Sequence, residues 1–200
     1  MAKFISSELV ATEESFYKLL LLIKSRYMDP MIIASQKKYP LVKSTDIPLL
    51  FNHLPELIRI SEKLLLSLKS CQNLTEIGNT FRQLESEFAV FLKYAMHYKN
   101  NIKAIRKACT NVLFLKIDQE TLAKKDSNRL GMADYLIAPI QRIPRYCLLI
   151  KDLRKYTHPS YTDHTQLNYV LKTLTGLAVV MDHVQQPGPM LASRNPTKTL

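Results

Sequence analysis

Apolar side chains return every three or four positions through most of this chain, the period of one face of an α-helix, and no strand pair or hairpin turn stands out. Ile5, Leu9, Phe16, Leu20, Ile23 and Tyr27 make a first stripe. They predict a helix from Ile5 to Tyr27 that ends at Asp29-Pro30, since the residue before a proline is pushed out of helical space. A second helical region opens at Ser44-Thr45-Asp46, plausible capping residues, is punctuated by Pro48 and Pro55, and carries Leu57, Ile60, Leu64 and Leu68. Asn73 and Gly78 mark a break. A third run covers Thr80 to Lys107, with Phe81, Leu84, Phe88, Phe91, Leu92, Ala95 and Tyr98 on one side. Helical pattern resumes from Val112 to Lys124, and Lys125-Asp126-Ser127-Asn128 reads as a turn. A further helix runs from Pro139, placed for a first helical turn, to Tyr156. The last spans Thr162 to Gln185, with Leu167, Val170, Leu171, Leu174, Ala178 and Met181 on its buried face, and stops at Gln186-Pro187-Gly188-Pro189. The expectation is an all-α fold, an elongated multi-helix bundle with short connections. One domain covers 1–186, and 187–200 is a polar, basic tail or linker.

Composition narrows the class. The chain has 200 residues, 46% hydrophobic, enough for one sizeable core. No apolar run is long enough to span a bilayer, and the start, Met1 to Ser6, meets Glu8 before any signal-type stretch develops. The expectation is a soluble intracellular protein. Cys71, Cys109 and Cys147 are odd in number and scattered, so no disulfide framework is expected. The five histidines lack the spacing of a zinc site. The net charge is +11, which favours an acidic partner. The basic residues are spread along the helices and no basic-aromatic binding motif occurs. That gives weak support for an anionic membrane and less for nucleic acid.

Two local patterns carry more information. The stretch Pro139-Ile140-Gln141-Arg142-Ile143-Pro144-Arg145-Tyr146 puts Pro144 inside a strongly helical run, at a cost of about 3 kcal/mol. Ile140, Ile143, Cys147 and Ile150 recur at helical spacing and mark the core side, whereas Gln141 and Arg145, four apart, share a different face. In the first helix Glu13 falls inside the apolar band, one turn from Leu9 and Tyr17. A lone buried carboxylate is costly. Periodicity therefore favours an ion pair with a basic residue of a neighbouring helix, or exposure at the helix margin, by about two to one over a functional role.

Pro-Ile-Gln-Arg-Ile-Pro-Arg-Tyr-x-Leu-Leu resembles the signature helix of Dbl homology domains, the exchange-factor modules of Rho-family GTPases. Glu8-Leu9-Val10-Ala11-Thr12-Glu13-Glu14-Ser15-Phe16 resembles the first conserved region of the same domains, with Phe16 where tyrosine is usual. Asp46 to Leu57 and Phe88 to Asn100 resemble the middle regions, so the likeness covers Ile5 to Gln185. It implies an elongated helical bundle in which three segments form most of a GTPase-binding surface. It also assigns roles: Glu13 would engage switch 1, and Arg145, with Gln141 nearby, would contact switch 2. Asp182 stands where the family often has asparagine, and aspartate accepts hydrogen bonds without donating them. Arg142 is expected to pair inside the bundle. Gln-Arg-Ile-Pro-Arg-Tyr-x-Leu-Leu-x-Lys-Asp-Leu leans toward the exchange factors that also carry a FYVE lipid domain.

The resemblance implies a guanine nucleotide exchange factor. It would bind a nucleotide-free or GDP-bound Rho-family GTPase, use no cofactor or metal, and break no covalent bond. Its place would be the cytoplasm, with recruitment to membrane or actin cytoskeleton. A pleckstrin homology domain often follows such bundles, and contacts to anionic lipid would come from neighbouring domains. The alternative is a non-catalytic helical scaffold that binds a GTPase or cytoskeletal partner without stimulating exchange. A third reading is a membrane-binding bundle. A covalent enzyme is disfavoured by the lack of a Gly-rich phosphate loop, nucleophile elbow or metal spacing.

Overall fold

The computed structural model describes residues 1–38, 43–71, 76–109, 112–123 and 131–186. Among them every regular element is helical. The order is α1 (Ala2–Ile23), a π-helical turn (Lys24–Met28), α2 (Asp29–Ser35), α3 (Asp46–Phe51), α4 (Leu54–Ser70), α5 (Ile77–Gln83), a 3₁₀ turn (Glu85–Phe88), α6 (Ala89–Cys109), α7 (Val112–Leu122), α8 (Met132–Lys155) and α9 (Thr162–Gln185). The expected all-α bundle is therefore present. The expected turn at Lys125-Asp126-Ser127-Asn128, Asn73, and the segment 187–200 lie outside the described residues.

The helices form where the apolar stripes require them, but several boundaries move. Pro30 does not end the first helix. The chain stays helical through it, because the preceding turn widens to i→i+5 closure, with the Asp29 N–H bonded to the Lys24 carbonyl. Lys24 Nζ reaches both carboxylate oxygens of Asp29, at 2.9 and 2.8 Å, a pairing five residues apart that suits the wider turn. The expected run from Thr80 to Lys107 is broken at Glu85–Phe88, where a 3₁₀ turn joins α5 to α6. The tight turn sets the Phe81 and Phe88 rings parallel, 5.7 Å apart. Helix α8 begins at Met132, two turns before the expected Pro139. Its first turn is closed by Asp134, whose Oδ2 accepts the Gly131 N–H at 3.0 Å. Pro139 and Pro144 both lie inside it. Tyr94, buried, donates to the Leu136 carbonyl at 2.6 Å in the turn just before Pro139. Thr45 is the N-cap of α3, but its side chain makes no capping hydrogen bond.

Gly78 is no break. It is buried inside α5, and its N–H donates to Asp163 Oδ1 of α9 at 2.9 Å. A Cβ there would lie 2.8 Å from that oxygen, from Gln166 Cβ and from the Leu167 backbone nitrogen. Only glycine lets the two helices approach this closely.

Helix α8 is the central element, packed against α1, α6 and α9, with α4 beyond α1 and α5 against α9. The core centres on Phe16, Phe81, Phe88, Phe91 and Tyr146, whose rings meet as stacks and edge-to-face pairs 5.4–6.4 Å apart. The end of α9 is tied down: Gln185 Nε2 donates to the Ala95 carbonyl at 2.8 Å, and Lys99 Nζ reaches the Gln185 and Gln186 carbonyls at 2.9 Å. No described helix is long and apolar enough to cross a membrane.

Candidate functional site

The seam between α1 and α8 holds the two motifs singled out in the sequence. Glu13 is fully buried there, at 0% exposure. Its Oε1 accepts from the Ser61 hydroxyl of α4. Its Oε2 accepts from the Tyr146 hydroxyl at 2.6 Å and from Arg142 Nε and a terminal guanidinium nitrogen at 3.2 and 2.6 Å. Arg142 lies 4.4 Å above the Tyr146 ring and 5.3 Å from that of Phe16, and it also reaches the Thr12 hydroxyl. Burial alone would lower the Arg142 pKa, but Tyr146 and Glu13 outweigh it and the net shift is upward. Burial, and next the Glu13 charge, push the Tyr146 phenol well above its ordinary value.

These contacts place the expected switch-facing carboxylate inside the bundle. Both oxygens of Glu13 are occupied and no surface remains for a partner, so the ion pair that periodicity favoured is what the structure contains. Arg142 pairs inside the bundle as expected. Ser61 and Tyr146 complete the network; Tyr146 stands in the signature stretch without an assigned role, and Ser61 lies outside the sequence patterns. Tyr146 is separated from Arg142 by one helical turn, which was the available signal.

The carboxylate on the outer side of the same seam is Glu8. Its Oε1 accepts from Arg145 at 2.8 Å, and both side chains are partly exposed. Glu8 sits next to Leu9 in sequence, ~100° round the helix from the buried stripe, and this rotation was legible from spacing. Gln141 is exposed one turn before Arg145 on α8, and the exposed Leu148 lies one turn beyond it. Phe4, 68% exposed, lies one turn before Glu8 on α1. Arg145, Gln141, Arg142 and Thr12 also line a groove of about 1120 Å³ that runs along α1 to the π turn at Lys24, Ser25 and Arg26. Asp182 does not line that groove. It is exposed near the end of α9, where it accepts from Gln186 at 3.1 Å. Helices α8 and α9 are antiparallel neighbours joined across Arg154 and Asn168, whose side chains bond at 2.7 Å. Equal distances back along α8 and onward along α9 lead to Ile140 and Asp182, so Asp182 is level with the Gln141 turn.

The surface therefore offers a fixed cation, two neighbouring polar groups and flanking apolar side chains on a rigid helix pair. It holds no cluster of His, Cys, Asp or Glu able to bind a metal among the described residues. Its mix of exposed charged, polar and apolar side chains has the make-up of a protein contact surface.

Comparison with known proteins agrees. Residues 5–182 match the RhoGEF domain family. The chain is 30% identical over 179 residues to the guanine exchange factor for Rac 30 of Dictyostelium discoideum, covering 87% of this chain and 10% of that protein. It is 26% identical over 191 residues to the human protein ECT2, covering 91% of this chain and 20% of the relative. It thus spans only a small part of the relatives' length. The structure superposes with a TM-score of 0.79 on the DH/PH domains of PDZ-RhoGEF, solved in complex with RhoA activated by GTP-γ-S. That match covers 92% of this chain and 53% of that one at 19% identity, and shows a shared fold. The chain belongs to the RhoGEF, or Dbl homology, domain family.

Proposed function

We propose that this chain accelerates GDP release from a Rho-family GTPase through the outer face of α1 and α8. The observation that carries the reading is the exposed Glu8–Arg145 pair on the seam built by the two family motifs. Such a factor acts by binding the nucleotide-free GTPase better than the nucleotide-bound one. A ~10³-fold acceleration requires about 4 kcal/mol of that difference. Arg145 supplies a permanent cation for backbone carbonyls or a carboxylate of switch 2, with Gln141 beside it. Glu8, released from Arg145 when the partner docks, takes the switch 1 role that the resemblance gave to Glu13. Glu13 acts indirectly, by fixing Arg142 and Tyr146 and hence the relative set of α1 and α8. Asp182 accepts from a basic group of switch 2 at the level of Gln141.

The domain reading, with 1–186 as the exchange module and 187–200 as a linker, rests on the family match to 5–182. The FYVE-type leaning rests only on the wording of the signature helix. Recruitment to the membrane or actin cytoskeleton is part of the same reading.

The test is release of a fluorescent GDP analogue from a panel of Rho-family GTPases, with Glu8→Ala and Arg145→Ala alongside. Acceleration for at least one GTPase, cut tenfold or more in both variants while their unfolding midpoints stay near that of the parent, is the expected result. A folded protein that binds a GTPase without faster release is the scaffold. Full activity in both variants removes the α1–α8 face from the mechanism.

A further inference from the structure

Helix α6 carries a charge pattern that the GTPase-facing surface does not use. From Ala89 to Cys109 it contains Lys93, Lys99, Lys103, Arg106 and Lys107 and no acidic residue. Lys99 is engaged with the last carbonyls of α9. The others are exposed. At ~100° per residue, Lys93, Met96, Asn100, Lys103 and Lys107 fall within an arc of ~80°, and Arg106 borders it. The stripe is straight, about 20 Å long. Met96 in its middle is 48% exposed, an apolar side chain set among cations. The next helix, α7, opens with the same combination: Val112 and Leu115 are exposed, with Lys116 beside them.

We propose that the outer face of α6 is a docking surface for an anionic phospholipid bilayer. Three observations select a membrane over an acidic protein or nucleic acid. The cations are mainly lysines, point charges without the planar fork that reads a defined carboxylate or phosphate geometry. They form a flat row on one helix rather than a pocket. Large apolar side chains accompany them, as on interfacial helices that combine electrostatic attraction with shallow insertion. Helix α6 packs mainly on α8 and α9 and meets α1 in the core, where Phe91 stacks on Phe16; its exposed lysine row takes no part in the Glu8–Arg145 seam, so docking through that row leaves the seam open to a GTPase. The bundle would then contribute its own contact to the membrane at which prenylated GTPases reside, independent of any lipid-binding neighbour.

The experiment uses the full chain and vesicles, with no GTPase present, so its outcome is separate from that of the exchange assay. Binding is measured by co-sedimentation with phosphatidylcholine vesicles, with and without phosphatidylserine. The compared proteins are the parent, Lys93→Glu/Lys103→Glu/Arg106→Glu, and a control with the same charge change at exposed positions elsewhere, Lys3→Glu/Lys155→Glu/Lys172→Glu. Each Lys or Arg near an anionic surface multiplies binding about fivefold, so the α6 triple variant should bind on the order of 100-fold more weakly, and the control should keep most of the parent's binding. Met96→Ser should weaken binding further without changing net charge. Equal losses in the two triple variants would reduce the effect to net charge and overturn the assignment. So would absence of binding to anionic vesicles, or tighter binding to polyglutamate or duplex DNA at the same salt. Circular dichroism of the triple variant checks its helicity; if it is unfolded, Met96→Ser and the single Lys103→Glu change carry the decision.

Discussion

Glu13 and Glu8, five residues apart and so about 140° apart round the helix, show how much rotation about one axis decides. Both are glutamates of the same short motif, yet one is sealed among Ser61, Arg142 and Tyr146 and the other stands at the surface. Removing one partner of a buried pair leaves an uncompensated charge, at a cost of about 3–5 kcal/mol. Glu13→Ala and Arg142→Ala should therefore lower the urea midpoint strongly, and any fall in exchange should accompany the loss of stability. Glu8→Ala breaks an exposed pair contributing about 0–1 kcal/mol and should leave the midpoint almost unchanged. A Glu13→Ala protein of parental stability would show that the network is not structural. The burial of Glu13 was legible in the sequence, since its position in the apolar band asked for a buried cation. The motif resemblance pulled the reading toward the surface, because a letter pattern records which residues recur and not which way they face. Ser61 was not legible at all: it comes from α4, and only tertiary packing brings it to the carboxylate.

At the level of elements, period-3.6 stripes were enough to find the long helices, and the limits of α9 were read correctly at Thr162 and Gln185. What escaped was what proline and glycine do in context. Pro30 and Pro139 were each read as an edge, yet both lie within helical paths, whereas Pro144 was placed inside its helix and stays there. Gly78 was read only as marking the break before α5, because composition cannot show that α9 passes across it. Gly78→Ala should push α5 off α9 and lower the thermal midpoint by several degrees, with Asp163→Ala costing about 1–3 kcal/mol through the orphaned Gly78 N–H. Asp163 also sets a pH dependence. Burial pushes its pKa up from 3.8, the Gly78 and Asn79 N–H groups oppose that, and Glu76 adds to it, while its Oδ2 has no hydrogen-bond partner. A raised folded-state pKa means that the fold prefers the neutral acid. This stabilisation is complete below the unfolded value and is lost as pH rises through the folded one. Asp163→Asn should then gain stability relative to the parent between acid and neutral pH. A difference that stays flat across that range would refute the assignment.

Across the whole molecule the aromatic cluster joins what the chain order keeps apart. Phe81 precedes the 3₁₀ turn, Phe88 ends it, Phe91 belongs to α6, Tyr146 to α8 and Phe16 to α1, and their rings touch in one group. A single core of this kind predicts one cooperative unfolding transition. Phe88→Ala should cost about 3–5 kcal/mol and shift far- and near-ultraviolet dichroism together. Separate transitions by the two probes would show that the α5–α6 layer melts on its own. The +11 charge acts at this scale too. It was legible at once, but its placement on α6 needed the helix to be drawn and the acidic residues located on other elements.

The wide turn at Lys24–Met28 has a consequence for how the chain tolerates changes of length. In an unbroken α-helix Met31 would stand ~80° round from Ile5, drifting off the core; a turn closed at about 4.4 residues takes back roughly that angle, and both remain buried. The turn is thus a spare residue stored in the helix. Removing Ser25 should collapse it to ordinary α geometry with Tyr27 and Met31 still facing inward, whereas removing Ala11 would rotate everything downstream away from α8. The two deletions, compared by thermal unfolding, separate a chain with slack at one point from one that is rigidly counted throughout.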